Sequence, residues 1–183
     1  MKQIILLAAL TLSLSALRAQ DIYMTRTGQI EFHAGTSVED VDAVNNEVTS
    51  MVNNKTGEIA FNVLIKSFHF KRALMEEHFN ENYLESSKIP KATFKGFITN
   101  LSSVNLSKDG TYKATVDGEL TLHGVTQKVS IPATVTVGGA KIRGQGSFKI
   151  KPEDYKIVIP SLVQDKVAKV VDVIVDCLYE PKN

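Results

Sequence analysis

Chemistry in this 183-residue chain would have to come from four histidines, one cysteine and a few neighbouring carboxylates. His69 and His78 flank Glu76 and Glu77. A zinc site would need an H-E-x-x-H or paired-Cys spacing, and neither is present. Glu76 and Glu77 are consecutive, so on a helix they point to different faces and cannot share a proton-transfer task. His123 precedes Gly124 in a tight turn, where a structural hydrogen bond is the expectation. Cys177 lies in an apolar run with no histidine nearby in sequence, and is read as a small buried hydrophobe. An intermolecular disulfide is the other reading of a lone thiol. No G-x-S-x-G nucleophile elbow occurs. Gly144-Gln145-Gly146 falls inside a strand pattern and is not a phosphate loop. No catalytic residue, metal site or cofactor is expected, so the chain is read as a non-enzyme.

A different group of side chains suggests binding. Phe68, Phe70, Met75, His78, Phe79, Tyr83 and Phe94 are candidates to line an apolar pocket, although ordinary core has the same composition. Lys71 and Arg72 form a cation pair suited to a phosphate head group. A solvated surface pair is the alternative. The helical segment Ala73–Leu84 brings Met75, Phe79 and Tyr83 onto one stripe at i, i+4, i+8 and is expected to act as part of a lid. Asn80 is a candidate cap for a second short turn, and Pro90 ends the segment.

The rest of the chain follows period two. Ala114, Val116, Leu120 and Leu122 fall on one face of a strand, and Lys113, Thr115, Asp117, Glu119 and Thr121 on the other. After the His123-Gly124 turn, Val129, Ile131, Ala133, Val135 and Val137 alternate with polar residues, which predicts a hairpin. Pro132 implies a bulge or an unpaired edge within it. Gly57–Ser67, Ala92–Leu101, Lys141–Ile150 and Val167–Tyr179 read as further strands, the last as the longest β-rich run. Weaker ones lie at Gln29–His33 and Val44–Val52. About eight strands spaced in this way predict an all-β barrel or sandwich. The polar faces carry alternating charges and the chain has no Trp. Both features favour a barrel with its apolar face inward over a lipid-facing one.

Composition agrees with a single folded domain. Hydrophobic residues make up 43%, charged residues 22%, and the formal net charge is +1. That balance excludes a disordered chain and argues against a nucleic-acid partner. Met1–Ala19 reads as a signal peptide: Lys2, then an uncharged apolar run from Ile4 to Leu17, then Leu17-Arg18-Ala19 at the cut. Residues 20–183 would form the exported domain. No later stretch is long and apolar enough for a helical span.

The helix region and the hairpin resemble a known family. Phe68 to Phe79 is similar to the "F…M…HF" signature of the YceI-like polyisoprenoid-binding proteins. Lys88 to Gly96 resembles their "P-x-A-x-F" segment, and Gly118 to Thr126 their "G-x-L-T-h-H-G-V-T" hairpin, where h is an apolar residue. The resemblance implies a lipocalin-like antiparallel eight-stranded β-barrel with one short helical segment and a long apolar lumen. It also implies periplasmic export and binding of a polyisoprenoid or other long-chain lipid. A packed-barrel structural or stress-response interaction protein is the alternative function. Exposed strand edges leave a homodimer open.

Overall fold

A computed structural model describes residues 21–182, and the signal-peptide expectation at Met1–Ala19 lies outside the described residues. Long antiparallel strands dominate: β1 (Ile22–His33), β2 (Asp42–Asn53), β3 (Glu58–Leu64), β4 (His69–Phe70), β5 (Lys91–Ile98), β6 (Gly110–Leu122), β7 (Val125–Gly138), β8 (Lys141–Ile150) and β9 (Val171–Pro181). Pairing runs β1-β9-β8-β7-β6-β5-β3-β2, and β1 also pairs with β2. The sheet therefore closes into an eight-stranded barrel and leaves no free edge along its main wall. The two-residue β4 adds onto β2 outside that circuit, with Ala43 opposite Phe70.

The alternation read from sequence becomes inside and outside here. Ala114, Val116, Val135 and Val137 are buried, while Lys113, Asp117 and Glu119 are exposed. Leu122 and Val125 flank a two-residue turn in which His123 (φ 49°) and Gly124 (φ 73°) both take positive φ. That is the mirror-image turn whose twist suits a hairpin. β7–β8 pairing stops at Ala133 opposite Gly146. Pro132 follows on the unpaired side, where its missing N–H breaks no ladder bond.

Several elements differ from expectation. β1 and β2 are full-length strands of twelve residues each, not short weak ones. Polar residues such as Asn45 and Ser50 hid their pattern. The Asn45 side chain is fully buried at a bulge, with Nδ2 donating to the Leu64 carbonyl at 3.0 Å and Oδ1 accepting from the Glu47 N–H at 2.8 Å. Residues 167–170 are loop rather than the start of the last strand, since the Ala168 N–H donates to the Ala34 carbonyl. β7, with fourteen residues, is the longest strand. The helical segment has two parts, an α-helix α1 (Ala73–His78) and a π-helical turn (Phe79–Tyr83). Asn80 does not cap it. Its Nδ2 instead donates back to the Glu76 carbonyl at 2.9 Å, where the change from α to π spacing disturbs the backbone ladder.

The two barrel ends are finished differently. At one end the segment between β5 and β6 folds inward and buries Val104 and Leu106 against Val52, Ile98, Val135, Val137 and Ile142. At the other end, the β1–β2 loop, the helical segment, the β6–β7 turn and the long β8–β9 connection surround an opening.

Candidate functional site

The open end leads into a cavity of about 430 Å³, within the range usual for small-molecule sites. Strand alternation supplies its wall: Ile30 and Phe32 from β1, Val63 from β3, Leu120 and Leu122 from β6, Phe148 and Ile150 from β8, and Val173 from β9. The helical segment closes one side with Leu74, Met75, His78, Phe79, Tyr83 and Leu84. The β8–β9 connection adds Ile157, Ile159, Val163 and Val167. Only Glu39, Arg72, His78 and Lys166 among the lining residues can carry charge. An unpaired charge is costly in such surroundings, so the interior suits an apolar chain.

Six of the residues singled out from sequence meet at this cavity. Phe68, Phe70, Met75, His78, Phe79 and Tyr83 all line it. Phe79 contacts three other rings, with centroid distances of 5.6 Å to Phe32, 5.8 Å to Phe68 and 5.1 Å to Phe70. Phe94 does not join them. It lines a second, deeper cavity of about 120 Å³. Its ring lies over the facing pair Gly96 and Gly118, and a Cβ on Gly118 would stand 2.5 Å from Phe94 Cζ. Ile30, Val63, Ala92, Leu120 and Phe148 line both cavities and so stand between them.

The cation pair separates. Arg72 lies at the mouth and donates to Glu39 of the β1–β2 loop, whose other oxygen is 3.5 Å from Lys166. The guanidinium beside Glu39 holds its carboxyl below the usual range. Lys71 does not line the cavity but borders a shallow surface depression with Glu76 and Glu77.

His123 secures another part of the rim. Its Nδ1 is 3.1 Å from the Tyr155 carbonyl, an atom that only accepts, so this nitrogen carries the proton. Its Nε2 is 3.5 Å from Glu85 at the end of the helical segment. His69 Nδ1 is 3.4 Å from Glu76. Among the described residues, no three His, Cys, Asp or Glu side chains are grouped as a metal ion would require. Cys177 is buried at 1% exposure, and burial pushes its thiol up to about 11.

Sequence reasoning missed Phe32, Ile150, Glu39, Lys166 and the β8–β9 connection. The apolar alternation Ile157, Ile159 was a usable signal, because it continues beyond a strand end. Glu39 and Lys166 had none, since their roles depend on loops remote in sequence.

Residues 23–177 match the model of the YceI-like domain family. No curated protein matches the chain. Among solved structures, a polyisoprenoid-binding domain from Saccharophagus degradans aligns with a TM-score of 0.76 and 16% identity, covering 89% of this chain and 99% of its own. BcnA from Burkholderia cenocepacia gives 0.68 and 18%, covering 83% and 95%. A YceI protein of Campylobacter jejuni gives 0.56 and 16%, covering 72% and 78%. At these identities the likeness is one of fold. Among the described residues no helix is long and apolar enough to cross a membrane.

Proposed function

Since the chain belongs to the YceI-like domain family, we propose that it is a lipid-binding protein holding a polyisoprenoid or similar long-chain amphiphile in its barrel. The observation that carries this reading is the 430 Å³ cavity, apolar within and charged only near its mouth. A chain placed there gains about 0.8 kcal/mol per buried methylene before association costs. The solved domain from Saccharophagus degradans, described as polyisoprenoid-binding, supports the ligand class. Unfilled space on this scale favours a lipid carrier over a solidly packed structural barrel. The action is binding, not catalysis. Export to the periplasm after removal of Met1–Ala19 belongs to the same proposal. N-terminal sequencing of the exported protein should find a start at Gln20 or Asp21.

Native mass spectrometry of protein purified from its own cells tests the ligand. The expected result is an added mass that organic extraction identifies as a long-chain lipid. A protein that carries no lipid, and that fails to take up a fluorescent polyprenyl probe in detergent solution, would overturn the reading.

A further inference from the structure

Three of the four cavity-lining residues that can carry charge meet at one point of the mouth. Glu39 of the β1–β2 loop gives one carboxylate oxygen to Arg72, just before α1, and its other oxygen lies 3.5 Å from Lys166 in the β8–β9 connection. The Glu39 side chain is 22% exposed, while Arg72 and Lys166 keep 56% and 44% of theirs open to solvent. Arg72 Nη2 also donates to Met75 Sδ at 3.3 Å. Met75 lines the cavity, so this contact holds the guanidinium beside the lumen. Two reachable cations thus share a single carboxylate.

The rim as a whole exerts no pull on anions. The β1–β2 loop, residues 71–78 and residues 151–170 carry six basic side chains against seven acidic ones. What differs is which of them reach the cavity. Of the seven acids only Glu39 lines it, and of the six bases Arg72 and Lys166 do. The lining therefore holds one more cation than anion at the place where an amphiphile with its tail in the lumen leaves its head. Nor is the Glu39 carboxylate needed to join the two loops. Thr36 Oγ1 donates to the Asp165 carbonyl at 2.7 Å, and the Ala168 N–H donates to the Ala34 carbonyl at 2.7 Å. These bonds keep the β1–β2 loop on the β8–β9 connection when the carboxylate gives up its place.

We propose that an anionic head group, phosphate or carboxylate, displaces the Glu39 carboxylate and takes its seat between Arg72 and Lys166 while the apolar chain fills the lumen. Arg72 supplies forked N–H donors that match such an anion, and Lys166 supplies a point charge. Glu39 fills the seat when no ligand is bound, so it competes with the head group and sets how strongly an anionic head is preferred. An alcohol head offers no charge-assisted bond in exchange and leaves the Arg72–Glu39 pair in place. A cationic head meets a carboxylate already shared by two cations. The mouth thus selects among amphiphiles by head group. This inference deepens the lipid-binding reading and rests on it.

Displacement of an uncharged fluorescent polyprenyl probe in nonionic detergent tests it. Geranylgeranyl phosphate, geranylgeranoic acid and geranylgeraniol are the competitors. Each variant is scored by the ratio of anionic to alcohol affinity, which cancels losses common to both. Glu39→Gln should raise that ratio about tenfold, and Arg72→Gln and Lys166→Gln should each lower it by about the same factor, the worth of one hydrogen bond to a charged group. A gain in the Glu39 variant cannot come from structural damage. Lys71→Gln removes the same charge outside the cavity and should leave the ratio at the parent's value. Which of phosphate and carboxylate shows the larger shifts identifies the preferred head. An unmoved or lowered ratio in Glu39→Gln, an unmoved ratio in Arg72→Gln, an equal shift in Lys71→Gln, or displacement of the probe by inorganic phosphate alone would each overturn the proposal. Uptake of the uncharged probe with unmoved ratios refutes the head-group seat alone. No uptake of any prenyl compound by the parent refutes the lumen reading, and this inference falls with it.

Discussion

The Phe79 ring stacks on Phe32, with centroids 5.6 Å and planes 28° apart. This contact links the π-helical turn to β1, so the side of the lumen closed by the helix is held by aromatic packing. Phe79 is therefore both a lining residue and part of a four-ring cluster. Phe79→Ala should destabilise the protein by about 1–3 kcal/mol, less than the 3–5 kcal/mol of a fully buried Phe, because the ring is only half-buried. Phe79→Asp should weaken probe uptake and lower the melting temperature together, since it places a charge in both environments. Calorimetry alongside a binding titration checks both parts. Unchanged uptake by a folded Phe79→Asp would remove Phe79 from the site.

Phe148 stands between the two cavities. Phe148→Ala is expected to join them and lengthen the lumen, at a cost of about 2–4 kcal/mol in stability. Binding of a homologous series of alkyl probes should then shift its optimum toward longer chains. An unchanged length preference would show that the chain does not pass Phe148.

Gly28 faces Cys177 so closely that a Cβ there would lie 2.5 Å from Sγ and 3.2 Å from the Val48 carbonyl. Gly28→Ala should cost about 1–3 kcal/mol through overpacking. Adding Cys177→Ala should recover part of that loss, so the two changes should be non-additive in urea unfolding. Cys177→Ser alone should cost about 1 kcal/mol. With its thiol pushed up to about 11, Cys177 should resist iodoacetamide at pH 8 until the barrel unfolds.

The Arg72–Glu39 pair has a pH signature. Arg72, and then Lys166, hold the Glu39 carboxyl below its ordinary 4.5. A carboxyl lowered by folding stabilises the protein fully above its unfolded value, and that contribution disappears as pH falls through the folded value. The melting-temperature difference between parent and Glu39→Gln should thus be present at pH 6 and shrink below pH 4.5. A difference independent of pH would mean that Glu39 acts through packing.

Ser50 donates to the Ala60 carbonyl and sits 2.9 Å from the Tyr179 hydroxyl, so Tyr179 is the donor in that contact. Burial pushes the Tyr179 phenol well up. Tyr179→Phe should cost about 0.5–1.5 kcal/mol, the net worth of one hydrogen bond. Since Ser50 keeps its bond to Ala60, no donor is stranded. Thermal unfolding measures the loss, and a change beyond 3 kcal/mol would imply a wider network.

Local sequence determined much of this protein. Period-two alternation specified which faces of β6 and β7 turn inward, because successive side chains on a strand point to opposite sides. His123-Gly124 specified the hairpin turn, and the Met75–Phe79–Tyr83 stripe specified an apolar helix face. Tertiary structure decided the rest. Barrel closure through β1 and β2 depends on pairings distant in sequence, and buried Asn45 and Ser50 obscured the local pattern there. Phe94 and Phe79 look alike in sequence, yet Phe94 lies over Gly96 and Gly118 in the deeper cavity while Phe79 lies at the mouth. Whether Arg72 meets a ligand or Glu39 depends on where the β1–β2 loop arrives. An apolar residue reads the same whether it faces packed core or open lumen; only the spacing of the closed wall around it decides which.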